Sequence, residues 1–209
     1  MKKTLAFICL SISIALSAQL RGEFSVGVLQ SIGANEAQLI SSQRQAVGVF
    51  TSTTRRFNNA GLRGRIELIK PLASRISAFL LSGFTLRINE EFWGEAYTYI
   101  SFPIQGGGSY KILKNNQSAL SLNGFLGINI FKIQNNLAKL QTGPIYDVEL
   151  NYLFMKQGFT KSIIIKAGYE FQIDNEIFFY QPTNPFFIEE ELHYKIKRNQ
   201  IYFAVGLRL

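Results

Sequence analysis

The chain has 209 residues, a length that fits one domain. Hydrophobic residues make up 47% of it, aromatics 13% and charged residues only 17%, with a formal charge of +8. Cys9 is the one cysteine and His193 the one histidine, which excludes disulfide scaffolds and the usual zinc sites. The basic residues are spread along the chain and match no nucleic-acid-binding motif, so no nucleic-acid partner is expected.

At the start, Lys2 and Lys3 precede an apolar run from Leu5 to Ala15, followed by small residues through Ala18. This pattern predicts a secretory signal peptide over 1–18, cleaved at Ser17 or Ala18, with the folded domain over 19–209. The run is too short to span a bilayer as a helix, and no later run of 18 apolar residues exists. Cys9 falls inside the segment, so the exported chain has no thiol chemistry.

From there the sequence alternates with period two in eight stretches, each read as a β-strand. They lie near Phe24–Ile32, Leu62–Lys70, Arg75–Ile88, Tyr97–Ile112, Ser118–Lys132, Ile145–Phe154, Ser162–Ile173 and over the last ten residues. Short connections (71–74, 114–117, 156–161) alternate with longer ones (33–61, 89–96, 133–144, 174–199). Asn58-Asn59, Asn115-Asn116 and Asn135-Asn136 suit tight turns, where asparagine tolerates a left-handed backbone. The alternation of short and long connections predicts an all-β fold, an eight-stranded antiparallel up-and-down transmembrane β-barrel. Segments 177–180 and 185–196 also have strand character, as does 46–54. They are expected to prolong strands beyond the bilayer; if they cross it, the count becomes ten.

Taking the apolar face of each strand as outward leaves Lys70 as its only charged residue. Tyr110, Tyr146 and Phe203 are candidates for interfacial aromatic girdles. The opposite face carries Arg63, Arg65, Glu67, Arg87, Lys111, Asp147, Glu149, Lys166, Glu170 and Arg208, with small residues such as Gly27, Gly83, Gly107 and Gly168 between them. An eight-stranded barrel is just wide enough to be filled by side chains, so these groups are expected to form a structural network plugging the lumen. In the last strand, Phe203, Val205, Leu207 and Leu209 share the apolar face and are expected to be the signal read by the outer-membrane assembly machinery. Outer-membrane lipid and lipopolysaccharide are the other expected partners, and the partner outside the cell is unknown.

The stretch Tyr99–Tyr110, with Pro103 in mid-strand, is followed after a turn by the glycine-spaced stretch Leu120–Gly127. Together they resemble the PorT-like outer-membrane β-barrel domain family, abundant in Bacteroidetes-type Gram-negative bacteria. The chain departs from that pattern at Gly106–Gly108, where bulkier residues are usual, and at Leu209, where Phe is commoner. The resemblance implies architecture and location and no agreed activity.

No catalytic, cofactor or metal site is expected. His193 lacks a serine two residues away, Glu189–Glu191 would alternate sides of a strand and converge poorly on an ion, and Gly106–Gly108 lacks the Lys-Ser/Thr of a phosphate loop. The glycine triplet is read as a kink or bulge. Arg44, Arg55 and Arg56 in the first long connection could meet lipopolysaccharide phosphates. Two other readings remain open at this point: a secreted lipocalin-like calyx with its apolar face inward, and an outer-leaflet lipid-modifying enzyme.

Overall fold

The computed structural model describes residues 20–32, 35–42, 54–57, 59–92, 95–133, 141–155, 161–180 and 190–209. The expected signal segment 1–18, Ala46–Thr53, Asn58, Asn135-Asn136 and Glu189 lie outside these residues. Ten strand segments occur: β1 (Arg21–Ser31), β2 (Asn35–Ser42), β3 (Thr54–Phe57), β4 (Ala60–Pro71), β5 (Ile76–Phe92), β6 (Glu95–Lys114), β7 (Ser118–Ile133), β8 (Gln141–Phe154), β9 (Ser162–Tyr180) and β10 (Glu190–Arg208). Neighbours pair antiparallel in the order β1-β4-β5-β6-β7-β8-β9-β10, and β10 pairs back onto β1, closing the cylinder.

The barrel has eight strands because two of them are interrupted. β10 runs alongside β1 from Arg208 to Gln200 and then alongside β2 from Lys197 to Leu192. β1 and β2 are thus two lengths of one path, as are β4 and β3, which pair with them. Between the pairs Ser31–Gln200 and Glu36–Lys197 the β1–β2 path contains two residues more than β10 does, so the same alternate set faces inward on β1 and on β2.

β9 and β10 are each 19 residues long, whereas about 9–11 residues suffice to cross a bilayer. Their distal lengths continue past the closed cylinder as a hairpin, with β2 and β3 joined to β10 on its other side. The strand character of 177–180 and 190–196 is thus part of β9 and β10. His193 accordingly stands on a strand, at the register shift between His193 and Tyr194, and not in a loop.

Polarity sorts by face. Ile66, Leu80, Leu126, Ile128, Val148, Leu150, Ile163 and Val205 are exposed on the outside, while charged side chains on the alternate positions are buried inside. A calyx requires the reverse, so this arrangement rules that reading out. On β9 the outward positions run from Ile163 to Ile173. At about 3.4 Å per residue and a tilt of about 40° they span about 26 Å, the height of a membrane-facing band.

Two glycine features and one proline follow from packing. The ring of Phe84 lies over Gly64 on the outer face, where a Cβ would meet it at 2.3 Å. Gly106–Gly108 run in continuous register with both neighbours and form no bulge; the register shift of β6 against β7 falls at Lys111–Leu113. Gly107 faces inward, where a side chain would collide with Phe125, itself edge-on to Phe79 at 5.6 Å. Pro103 has no N–H to give, and β5–β6 pairing lapses between Ser82–Ile104 and Thr85–Ser101 before resuming in the same register.

Candidate functional site

The interior is a continuous set of ion pairs and hydrogen bonds to which all eight barrel strands contribute. Its members reach the axis because they occupy alternate positions on strands whose other face is apolar. Nearest the short-turn end, Arg208 donates to Glu23 at 2.8 and 3.0 Å. Lys166 from β9 pairs with both Glu23 and Glu67 and stands 3.9 Å from Glu149. Two apolar clusters also lie in the interior, one of Ala119, Leu153 and Ile164 with Met155 against it and one of Ile69, Phe79, Leu81 and Phe125.

The middle tier joins β4 to β8 and β9. Arg63 pairs with Asp147 at 2.8 Å and Glu170 at 2.9 Å; Arg65 pairs with Glu149 at 2.8 Å and with Asp147. Asn123 and Asn151 each donate to Glu149 at 2.9 Å. Tyr202 is the hub: its hydroxyl donates to Glu149 at 2.6 Å and accepts from Arg65 at 3.1 Å. The guanidinium groups of Arg63 and Arg65 lie 4.4 and 4.8 Å from its ring centroid, within cation–π range.

Towards the long-connection end, Arg87 donates to Glu170 and Gln172 at 3.0 Å and to Gln200 at 2.7 Å. Tyr99 has the Arg87 and Arg198 guanidinium groups each 4.6 Å from its ring and stacks on Phe131 at 5.2 Å. Its hydroxyl donates to Asp174 at 3.2 Å and accepts from Asn129 at 2.8 Å. Arg198 also pairs with Asp174. Gln200 then donates to Asn59, whose amide oxygen also accepts from Ser31 at 2.6 Å and Asn35 at 3.3 Å. Asn59 is therefore a buried tie across the strand interruption, where a tight turn was expected. Its side chain meets polar groups of β1, β2 and β10 there.

All of Arg63, Arg65, Glu67, Arg87, Asp147, Glu149, Lys166 and Glu170 are buried in this network, and Arg208 joins it half-buried at the edge. Lys111 does not enter it. It sits at the rim, where Nζ reaches the Ser74 carbonyl at 3.4 Å. Glu23, Asp174, Arg198, Tyr99 and Tyr202 are members that strand-by-strand reading missed. Glu23 alternates with Phe24 and so was detectable; Asp174 and Arg198 lay in segments read as connections. Counting Arg208, the described interior holds six bases (Arg63, Arg65, Arg87, Lys166, Arg198, Arg208) and six acids (Glu23, Glu67, Asp147, Glu149, Glu170, Asp174).

Phe203, Val205, Leu207 and Leu209 point outward. The first three oppose Val28, Val26 and Phe24 across the seam that closes the barrel, and the Leu209 amide donates to the Gly22 carbonyl at 2.9 Å. Tyr110 and Tyr146 are exposed, the latter stacked with Phe171 at 6.3 Å. Phe203 lies in the middle of the outward row of β10 and not at its edge, beside Val28 and Ala167. Arg55 and Arg56 lie on β3 opposite Ala37 and Glu36, and Arg44 lies outside the described residues.

A closed eight-stranded antiparallel cylinder, apolar outside and ionic inside, is the architecture of outer-membrane barrels. No family model matches the chain, and no curated protein matches it in sequence. Among solved structures it is similar to the outer membrane protein OprG from Pseudomonas aeruginosa, with 9% identity and a TM-score of 0.53 over 90% of this chain and 95% of that one. It also aligns with Neisserial surface protein A (13% identity, TM-score 0.48, 89% and 96% covered). A third match is Ail, the attachment invasion locus protein of Yersinia pestis (13%, 0.44, 90% and 98%). What the OprG likeness shows is a shared fold.

Proposed function

We propose that this chain is a small integral outer-membrane protein, exported through residues 1–18, whose plugged interior makes it a structural or interaction module and not an enzyme or a pore. The carrying observation is the sorting of polarity: an apolar belt about 26 Å tall around an interior of matched charges. Lipid on the outside is the solvent that such a belt needs, and an eight-stranded lumen filled by side chains leaves no channel. The resemblance of Tyr99–Tyr110 and Leu120–Gly127 to PorT-like barrels supports the same location.

In this reading Arg63, Arg65, Glu67, Arg87, Asp147, Glu149, Lys166, Glu170 and Arg208 are structural. Carboxylates bonded to several donors in a closed interior have no substrate to meet. Phe203, Val205, Leu207 and Leu209 carry the assembly signal, because β10 is the strand that must be matched to β1 when the barrel closes. The long-connection end, with the β9–β10 hairpin and β2–β3, is the surface for lipopolysaccharide and extracellular partners. Extraction from membranes should yield a band whose gel mobility shifts on boiling, and planar bilayers should show no conductance steps. Recovery in the soluble periplasm would sink the reading.

A further inference from the structure

The two ends of the barrel differ in charge, and the short-turn end is basic. Arg21 opens β1, Arg75 lies in the β4–β5 turn, Lys111 and Lys114 end β6, and Lys161 precedes β9. Lys111 lies within electrostatic range of Lys114, Arg21 and Arg208. Among the described residues at this end the acids are Glu23 and Glu67; both are buried and paired with Lys166, and Glu23 is also paired with Arg208. The opposite end carries both signs, with Glu90, Glu91, Glu95, Glu190 and Glu191 on β5, β6 and β10 beside Arg55, Arg56, Lys132, Lys195 and Lys197 on β3, β7 and β10. Like charges gathered with no exposed acid among the described residues of this end repel one another, and an anion from outside the chain would relieve that repulsion.

Between these cations stand exposed leucines. Leu72 in the β4–β5 turn is 61% exposed, and Leu113 and Leu209 are each 65% exposed. Apolar side chains alternating with long cations fit the boundary between acyl chains and headgroups, where each leucine enters the apolar layer and each cation snorkels to phosphate. A wholly aqueous anion, such as a cell-wall polymer, has no use for the leucines.

We propose that the short-turn rim binds anionic glycerophospholipid headgroups of the leaflet that it faces, with Arg75, Lys111 and Lys114 as the principal phosphate contacts. This deepens the membrane-barrel reading and rests on it.

The test uses the full folded chain in neutral-detergent micelles offered equal amounts of phosphatidylglycerol and phosphatidylcholine. Lipid retained after gel filtration is measured by mass spectrometry. Phosphatidylglycerol should be retained over phosphatidylcholine by at least roughly fivefold, the effect of one cation at an anionic surface, and the preference should fall as salt screens it. The triple variant R75Q/K111Q/K114Q should lose the preference, and the opposite-end triple K132Q/K195Q/K197Q should keep it. Boiling-dependent gel mobility, read on every sample, reports the barrel independently, so its loss would fault the membrane-barrel reading and not the lipid assignment. Equal retention of both lipids by the folded wild type overturns the proposal. So does a preference that survives the first triple variant, one lost equally in the second, or sedimentation with cell-wall sacculi without any lipid preference. Should the first triple variant not fold, the salt dependence of the wild type decides.

Discussion

Gly168 and Tyr202 oppose each other across the β9–β10 ladder, and the phenol ring occupies the space a side chain at 168 would take, with the nearest ring atom 2.4 Å from an added Cβ. The absence of a side chain on β9 is what lets Tyr202 lie flat under Arg63 and Arg65 and reach Glu149. A glycine within a strand ordinarily weakens it; here it makes room for the centre of the ionic interior.

Gly168→Val should therefore destabilise the barrel by about 1–3 kcal/mol, the range for overpacking. Urea midpoints of the boiling-sensitive band, measured in lipid vesicles, check this. In a Tyr202→Ala background the same substitution should cost less, because the ring it collides with is gone. Equal costs in both backgrounds would show that Gly168 serves the backbone alone.

Lys166 faces three carboxylates, Glu23, Glu67 and Glu149. Lys166→Met leaves acids buried without their base, and breaking a buried pair in this way costs on the order of 3–5 kcal/mol. A parallel Lys161→Met change at the exposed rim should shift the urea midpoint little. The contrast between the two separates buried pairing from net charge.

The apolar face should tolerate charge according to depth. Phe203 lies mid-belt and Leu209 at its end, so Phe203→Arg should cost about 2–4 kcal/mol and Leu209→Arg about 0–1 kcal/mol. Refolding yield into vesicles measures both. Similar costs at the two sites would mean that the outward row of β10 does not lie across a bilayer.

Much of this architecture was legible as period-two alternation. β7, β8 and β9 have apolar residues at most outward positions, with Gly124 the break in mid-strand and Ser118, Lys132 and Thr142 near strand ends, and charges, amides and small residues at most inward ones, so faces and strand number could be read directly. The continuation of β1 into β2 was not legible, because Asn35–Ser42 mixes polar and apolar residues on both of its alternate sets and so shows no apolar face. Asp174 and Arg198 were lost with the distal strand lengths for a similar reason: periodicity says nothing of how far a hairpin continues past the cylinder. Tyr99 and Tyr202 were missed because a tyrosine counts as apolar on either face, while its hydroxyl is what the interior uses. Lys111 shows the converse. It sits on the inward parity of β6, but the register shift beside it carries the side chain to the rim.

Pro103 is a further case where pattern and energetics part. It marks the resemblance to PorT-like barrels, yet it interrupts the β5–β6 ladder opposite Gly83 and Phe84. Pro103→Val restores a donor there and should raise stability by about 0.5–1.5 kcal/mol, the net worth of one hydrogen bond. A large loss of folding yield would instead assign the proline a part in assembly.

The central claim is that apolar side chains face lipid while the charges face inward, and single-cysteine labelling tests it most directly. With Cys9 in the segment proposed to be removed, cysteines placed at Ile128, Leu150 and Ile165 have no background. In intact membranes all three should resist a water-confined maleimide and react only after detergent unfolding, while a cysteine at exposed Lys114 labels at once. Rapid labelling of Ile128→Cys, Leu150→Cys and Ile165→Cys in the native protein would show that water, not lipid, covers that surface.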